Sequence, residues 1–296
     1  MISHRPILLG NPMAGLPRSR RRFPLLEKAF LARFPQGRIL LSSPSSTDLL
    51  EADLLVVYGG DGTLARLLAL PLPPDLPLLL LPGGTGNVLS RSLNVPFDPG
   101  RPGEIFRRLG GARPLFFSPG MAGRVRFCLM AGAGWDGVAA RKVWGKERLG
   151  ALSYYLAGIS ATFSRHLPWI DVKILGEEGE EIVREDNIWV LVSRLPPYFG
   201  LFRVPGAGKA GGTPLMVTLV RRSGLRIPGA FLEMFPGVPP GFFSERIPAR
   251  EVVLFPNRPT IPEDLPCQAD GEVIPPFSRI ALSGESLTFL QFGERV

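Results

Sequence analysis

Gly59-Gly60-Asp61-Gly62-Thr63 and Pro82-Gly83-Gly84-Thr85-Gly86-Asn87 are the two stretches that decide how the first third of this chain folds. Each stretch directly follows a short and almost wholly apolar run, Leu54 to Tyr58 in the first case and Leu78 to Leu81 in the second. Runs of that length and composition are typical of buried parallel strands. Since a helical pattern follows each stretch, the sequence predicts the unit of strand, glycine loop and helix twice in succession.

Paired loops of this kind predict a phosphate-binding site. Glycine lets the backbone turn sharply and come close to a ligand, while the unpaired amides at the start of a helix supply donors and partial positive charge. Either loop alone is equally consistent with an ordinary strand-to-helix turn, but two in tandem make that the weaker interpretation. A nucleotide is the ligand that the arrangement favours.

Residues 1–118 predict a doubly wound α/β domain, in which strands and helices alternate. Two further strands, Ile7–Leu9 and Arg38–Leu41, precede the loops, and a helix over roughly Arg18–Phe34 lies between them. Four residues of that helix recur at helical spacing and are predicted to face the sheet as core packing: Phe23, Leu26, Phe30 and Phe34.

Residues 119–296 predict a second, all-β domain, an antiparallel β-sandwich. Short alternating runs indicate its strands: Val125–Met130, Ile170–Leu175, Ile188–Val192, Leu215–Val220, Val252–Phe255, Ile280–Leu282 and Leu287–Leu290. Between the first two of these strands, Gly137–Phe163 is predicted to be mostly helical. We interpret Asp136 as the N-cap of that helix, in preference to a role in the chemistry.

The charge balance favours anionic partners. Lys and Arg number 34 against 26 Asp and Glu, which gives a formal net charge of +8. The chain contains no zinc finger, basic zipper or basic stretch interleaved with aromatic residues, so we expect no nucleic acid partner. Nucleotide phosphates and an anionic membrane surface fit the charge better. The bias toward arginine is also consistent with genome composition alone.

The apolar segments and the cysteines predict the cellular location of the protein. No apolar stretch approaches the ~20 residues that span a bilayer, and Met1–Leu9 lacks the long apolar core of a secretory signal. We therefore expect a cytoplasmic protein that associates peripherally with membranes. Cys128 and Cys267 are expected to be buried thiols in a reducing compartment, and they offer no metal cluster.

The chain resembles the diacylglycerol kinase and sphingosine kinase superfamily, in its bacterial lipid kinase branch. The first loop is shared with NAD kinases, whereas the second loop, followed by Arg91, is the feature that selects the lipid branch. Three further segments extend the resemblance: Asn11-Pro12-Met13-Ala14-Gly15, Gly132-Ala133-Gly134-Trp135-Asp136 with the later Arg148 to Tyr154, and Gln268-Ala269-Asp270-Gly271-Glu272. The resemblance implies an NAD kinase-like first domain, a lipid-substrate domain after residue 118, and a tail after about residue 290 that returns to the first domain.

The resemblance also implies ATP and Mg²⁺ as cofactors. It assigns the contacts with ATP to Asn11, Gly59, Gly60, Asp61, Gly62, Thr63, Gly84, Thr85, Gly86 and Asn87. Asp61 would lie near the magnesium-bound phosphates, and hard carboxylate oxygens suit Mg²⁺, which shares its ligands with the nucleotide.

Phosphoryl transfer to a lipid further needs a group that orients or deprotonates the attacking hydroxyl. The resemblance implies Asp270 for this role, with Glu272 available to tune it or to bind a cation. Two alternatives stay open from the residues themselves. The pair Asp270-Gly271 is also typical of a common hairpin turn. Asp61 is a second candidate for the base.

Four residues in three segments depart from the family pattern and motivate a second hypothesis. Arg66 stands where many relatives have an acid, Arg194 replaces an expected asparagine, and Lys209 with Gly211 stands where an Asp-Gly pair is expected. We predict an ATP-dependent lipid kinase that phosphorylates a hydroxyl of diacylglycerol or a related lipid. The alternatives are a catalytically silent lipid- or nucleotide-binding regulator and, less favoured, an NAD kinase; a homodimer also stays open.

Overall fold

A computed structural model describes residues 5–11, 17–143, 151–163, 167–198, 202–208, 214–221, 226–235, 237–256 and 264–293. The chain divides into two compact units. The first unit comprises Met1–Ser118 and Glu285–Val296, and the second comprises Pro119–Gly284.

The helices and strands follow one another along the chain as two series. Up to residue 118 they are β1 Pro6–Gly10, α1 Pro17–Arg33, β2 Arg38–Leu40, α2 Ser46–Glu51, β3 Leu54–Gly59, α3 Asp61–Leu68, β4 Pro77–Pro82, α4 Val88–Ser92, α5 Gly103–Arg107 and β5 Arg113–Phe117. From residue 119 they are β6 Gly120–Ala122, β7 Val125–Phe127, β8 Met130–Gly134, α6 Trp135–Val143, α7 Ala151–Thr162, β9 Ile170–Gly176, β10 Glu181–Ser193, β11 Pro197–Tyr198, β12 Phe202–Arg203, β13 Leu215–Arg221, α8 Arg226–Leu232, β14 Glu245–Pro256, β15 Cys267–Ala269, β16 Glu272–Ile274, β17 Arg279–Leu282 and β18 Leu287–Gln291.

The first unit is built on a mixed, mostly parallel sheet in the order β2-β1-β3-β4-β18-β5, which confirms the predicted α/β domain. Only β5 runs antiparallel to its neighbour. The predicted apolar face of α1 is also confirmed, because all four of its residues are buried in one core with strand residues such as Leu8 and Val56. Burying this stripe against the sheet is what stabilises the helix.

The predicted strand Leu287–Leu290 exists as part of β18, but its assignment to the antiparallel domain is wrong. It pairs in parallel with β4 and antiparallel with β5, inside the sheet of the first unit. All four residues from Leu287 to Leu290 are buried, as expected of a strand covered on both faces. A four-residue strand carries too little pattern to reveal which of two sheets it will join.

The second unit is antiparallel, as predicted, and among the described residues ten of its strands join one sheet while β11 and β12 form a separate pair. The long strands β10 and β14 each change partners along their length. The first half of β10 pairs with β9 and its second half with β13 and β8, with a register shift between Arg184 and Asn187. The sheet thereby encloses one apolar core, which includes Ile170, Val172 and Ile174 from the alternating strand β9.

The single strand predicted over Val125–Met130 is wrong. The structure has β7 ending at Phe127 and β8 beginning at Met130, with a break at Cys128 and Leu129. The backbone amides at the break donate to the side chain of Asp270 and are therefore not used in a continuous ladder. A hydrogen-bond partner that is remote in sequence leaves no trace in the local apolar pattern.

The predicted helical region Gly137–Phe163 contains α6 and α7, while residues 144–150 lie outside the described part of the chain. Among the described residues, no helix combines the length and the apolar character that crossing a bilayer requires.

Candidate functional site

The two glycine loops leave neighbouring parallel strands and contact each other through backbone atoms. Gly59 of β3 is paired with Pro82 of β4, and the amide of Gly83 donates to the carbonyl oxygen of Gly59 at 2.9 Å. A Cβ atom on Gly60 would lie 2.9 Å from the Cα atom of Gly84. These glycines are therefore required for the two loops to approach each other, in addition to any approach of a ligand.

Asn87 closes the second loop. Its backbone adopts a left-handed conformation, with φ of 53°, directly before α4. Its side chain binds Gly84 twice, because Oδ1 accepts from the Gly84 amide at 2.8 Å and Nδ2 donates to the Gly84 carbonyl at 2.6 Å. Asparagine is one of the few residues that tolerate this backbone conformation, so a single side chain sets the shape of the loop.

Asp61 links the two loops across 27 residues of sequence. Its carboxylate accepts the Val88 amide at 3.0 Å on Oδ1 and 3.2 Å on Oδ2, and the Leu89 amide at 3.4 Å. A negative side chain at the start of α4 is electrostatically favourable. Burial raises the pKa of the Asp61 carboxyl, and the hydrogen bonds from these two amides oppose the rise.

The other predicted nucleotide residues of this unit lie around the same loops. Asn11 follows β1 and donates from Nδ2 to Oγ1 of Thr63 at 3.3 Å. A small cavity is lined by Gly59, Gly60, Asp61 and Asn87, together with several leucines. Thr85 and Gly86 are exposed and Gly62 is half-buried. The structure thus brings the predicted set together, while its contact with ATP stays a prediction.

A resident metal site is not assembled from the described residues. They contain no group of three His, Cys, Asp or Glu side chains able to hold one ion. Asp61 supplies a single carboxylate at the loops, which suits a Mg²⁺ ion that arrives with the nucleotide and keeps phosphate and water as its other ligands. The assignment of Asp61 to Mg²⁺ stays a prediction.

Asp270 lies in the second unit, at a two-residue hairpin turn between β15 and β16. Asp270 and Gly271 both have positive φ, 49° and 87°, which is the backbone of a tight hairpin. The Asp270 carboxylate accepts three backbone amides, from Cys128 at 2.8 Å, Leu129 at 2.7 Å and Met130 at 3.0 Å. These bonds hold the carboxylate in one orientation. Glu272, the first residue after the turn, is exposed.

The model of the diacylglycerol kinase catalytic domain matches residues 7–113, the segment that contains both loops. This segment is similar to the diacylglycerol kinase catalytic domain family. An uncharacterized protein of Synechocystis is 25% identical over 146 residues, which is 48% of this chain and 32% of the relative. The chain therefore spans about a third of the length of that curated relative.

Solved structures confirm the NAD kinase-like fold. A crystal structure of a protein assigned as a diacylglycerol kinase from Bacillus anthracis has a TM-score of 0.74 at 22% identity, over 100% of both chains. A second structure from the same organism gives 0.69 at 21% identity, again over 100% of both chains. An NAD kinase from Archaeoglobus fulgidus, solved with ATP, gives 0.51 at 15% identity over 96% of this chain and 92% of the other.

The prediction of Asp136 as an N-cap of the helix is wrong. Helix α6 begins at Trp135, so Asp136 lies inside its first turn, and the residue is only 3% exposed. It accepts from the Tyr198 hydroxyl at 2.5 Å and from Nε2 of Gln268, both of which are buried. Burial raises the pKa of Asp136 from 3.8 to about 6, while the hydrogen bonds from Tyr198 and Gln268 act in the opposite direction.

This buried polar group was not predicted from the sequence. A signal was present in Cys267-Gln268-Ala269, where a glutamine interrupts an otherwise apolar strand. Burying an amide without a partner is costly, so the residue implies a buried polar partner elsewhere in the chain. The sequence does not identify that partner.

A second buried acid, Glu233, was also not predicted from the sequence. It is 1% exposed, and its carboxylate accepts from the amides of Phe242 and Phe243, each at 2.7 Å, and from the Ser244 hydroxyl at 2.5 Å. Arg246 forms an ion pair with it at 3.2 Å. Glu233 thereby fixes a loop at whose tip Phe242 is 80% exposed.

The departures from the kinase family pattern fall in different surroundings. Arg66 is exposed on α3, so it is available to solvent beside the first loop. Arg194 is 1% exposed directly after β10, where burial lowers its pKa. Lys209 and Gly211 lie outside the described residues.

Proposed function

We propose that the protein is an ATP- and Mg²⁺-dependent lipid kinase that transfers the γ-phosphate to a hydroxyl group of diacylglycerol or a related lipid. The observation that carries this proposal is the pair of glycine loops that contact each other at the ends of β3 and β4, within the segment that matches the kinase family.

The loops suit the binding of phosphate groups. Gly60 is the N-cap of α3 and makes no side-chain hydrogen bond, so no capping side chain competes with an anion at the start of this helix. Asp61 holds the start of α4 against the same loops. Two helix starts held together in this way suit the positioning of phosphates that phosphoryl transfer requires.

The acceptor hydroxyl needs a base. In the proposed reaction the lipid oxygen attacks the γ-phosphorus while its proton passes to the carboxylate of Asp270. The bond from the γ-phosphorus to the bridging oxygen breaks, and ADP leaves with the electron pair. The three amides that hold Asp270 fix the orientation of this carboxylate, and the exposed Glu272 supplies a second negative charge two residues away.

A lipid substrate also calls for contact with a membrane surface, and α7 suits that contact. The helix contains no charged residue, and three apolar side chains at spacings of three and four residues are exposed: Leu156 at 52%, Ile159 at 60% and, at its end, Phe163 at 80%. The net charge of +8 favours an anionic surface. We therefore propose an anionic membrane as a partner.

A silent binding protein is the second candidate, and one observation favours it. The carboxylates of Asp61 and Asp270 both accept backbone amides, which is also what purely structural acids do. On that alternative the loops still bind nucleotide but no phosphate is transferred.

Transfer of labelled phosphate from ATP separates the two candidates. The purified protein is incubated with Mg²⁺ and a panel of diacylglycerol, monoacylglycerol, phosphatidylglycerol, sphingoid bases and NAD. We expect a labelled lipid that is absent with Asp270→Asn. Measurable ATP binding without any labelled product would support the silent binder, and label in NAD alone would support an NAD kinase.

A further inference from the structure

We infer that Asp136 is a positioning residue for the Asp270 turn, acting through the side chain of Gln268. This inference rests on the proposed function, because it concerns the carboxylate that we assign as the base. Asp136 does not itself contact the reacting groups in this scheme.

The path from Asp136 to the turn consists of two hydrogen bonds. Gln268 donates from Nε2 to Oδ2 of Asp136, and its Oε1 accepts the amide of Gly271 at 2.8 Å. Gln268 is 2% exposed; its bond to Asp136 is buried and its bond to Gly271 is partly buried. The two ends of one amide group thus connect α6 to the residue that follows Asp270.

The Gly271 amide depends on this glutamine. In a two-residue hairpin the ladder is closed by the residues that flank the turn, here Ala269 and Glu272, and the amide of the second turn residue points away from the ladder. A buried or half-buried amide without an acceptor is costly. Oε1 of Gln268 satisfies it and thereby fixes the orientation of the peptide between Asp270 and Gly271.

Asp136 in turn decides which end of the glutamine amide faces the turn. A carboxylate only accepts hydrogen bonds when ionised, so it selects the NH₂ end of Gln268 and leaves the oxygen for Gly271. The Tyr198 hydroxyl occupies the other oxygen of Asp136 at 2.5 Å. Rotation of the Gln268 amide would place a donor against the Gly271 amide and an acceptor against Asp136.

Two glycines permit α6 to lie close enough to the strands for this contact. A Cβ atom on Gly132 of β8 would collide with the Asp136 carboxylate. A Cβ atom on Gly137 would collide with the backbone of Pro266 and Cys267, directly before Gln268. The first turn of α6 therefore lies directly on the strands that lead into and beside the Asp270 hairpin.

An exchange of the two polar groups tests the inference. Gln268→Glu places a second carboxylate against Asp136, whereas the double variant Asp136→Asn/Gln268→Glu restores a donor on residue 136 and an acceptor on residue 268. Tyr198→Phe is the matched control, because it removes a bond to Asp136 without touching Gln268. Hydrogen exchange of the Gly271 amide is followed by NMR at pH 7.5 without ATP or lipid, with the Leu254 amide as a remote reference.

We expect Gln268→Glu to speed exchange of the Gly271 amide by about tenfold relative to Leu254, and the double variant to restore it to within about twofold. In the transfer assay kcat falls with Gln268→Glu and returns with the double variant, while KM for ATP is unchanged. A double variant that is no better protected than Gln268→Glu, or that does not regain the fold, overturns the inference. The inference is also overturned if the Gly271 amide exchanges as fast in Tyr198→Phe as in Gln268→Glu.

The exchange measurement also separates this inference from the proposed function. If the wild-type protein phosphorylates no lipid, the proposed function fails. The exchange rates of Gly271 still decide whether Asp136 holds the turn.

Discussion

The carboxylate of Asp61 accepts the backbone amide of Val88 at 3.0 Å, which joins the first turn of α3 to the first turn of α4. One short side chain therefore connects the two glycine loops in the part of the chain that matches the kinase family. Its structural and chemical roles are separable, because an amide oxygen replaces a carboxylate oxygen as an acceptor but not as a ligand for Mg²⁺.

Asp61→Asn is expected to fold and to lose phosphate transfer. The new side chain keeps one acceptor for Val88 and removes a partly buried charge, so the free energy of unfolding changes little. Asp61→Ala leaves the amides of Val88 and Leu89 without this acceptor and is expected to lower the free energy of unfolding by about 1 to 3 kcal/mol. Urea denaturation and the transfer assay measure the two effects. Full transfer activity in Asp61→Asn would contradict the assigned role.

Gly84→Ala is expected to abolish ATP binding. The added Cβ atom would lie 2.9 Å from the backbone nitrogen of Gly60 and 3.2 Å from Oδ1 of Asn87, so the loops must separate. Overpacking of this kind costs about 1 to 3 kcal/mol. Gly110→Ala is the matched control in the same unit, since nothing lies within 4 Å of its added Cβ atom. Calorimetric titration with ATP compares the two, and equal affinity would show that the loop contact does not shape the site.

Asp270→Asn is expected to abolish transfer and to destabilise the second unit by about 1 to 3 kcal/mol. Asparagine tolerates φ of 49°, so the turn persists, but its NH₂ group replaces one of two oxygens that accept the amides of Cys128, Leu129 and Met130. Glu272→Gln changes an exposed residue and is expected to leave stability unchanged. Thermal unfolding measures the stability of both variants, and the transfer assay measures their activity. An active Asp270→Asn enzyme would exclude this carboxylate as the base.

The paired loops and the α/β sheet could be predicted from sequence because their signals are local. Apolar runs ending in Gly59 and Pro82 reveal the strands, and the glycines reveal the turns. Even so, the glycines have a function that the sequence does not disclose. Gly60 and Gly84 permit the loops to touch each other, a relationship that exists only after β3 and β4 are paired.

The parts that escaped prediction all depend on partners remote in sequence. The strand break at Cys128 and Leu129 follows from bonds to Asp270, more than 140 residues away. The burial of Asp136 follows from Gln268, 132 residues away. Local patterns predict the strands and helices of the second domain approximately. They do not predict the partners of these polar groups, because periodicity reports only which face of an element is buried.

Ile159→Glu is expected to weaken membrane binding. It places a charge on the apolar face of α7, where Ile159 is 60% exposed, and so removes apolar burial and adds repulsion from anionic headgroups. We expect about tenfold weaker binding to vesicles that contain phosphatidylglycerol. Leu50→Glu, at a 76% exposed leucine of α2, is the matched control. Vesicle sedimentation compares them, and an equal loss with both variants would exclude α7 as the docking face.

Asp136 is expected to make stability depend on pH between about 4 and 6. Its pKa is about 6 in the folded protein against 3.8 ordinarily, so the folded state binds the proton more tightly than the unfolded state. The contribution of this group to stability is therefore largest below pH 3.8 and is lost as pH rises to about 6, a change on the order of 3 kcal/mol.

The nearby titratable groups do not share this pH range. Burial raises the pKa of Cys267 to about 12, and burial together with the charge of Asp136 raises the pKa of Tyr198 well above its usual value. Asp136→Asn cannot titrate, so its free energy of unfolding should fall less than that of the wild-type protein between pH 4 and 6. Urea denaturation of both proteins across this range measures the difference in slope. Parallel curves would show that Asp136 is ionised throughout, and that the Tyr198 and Gln268 hydrogen bonds outweigh its burial.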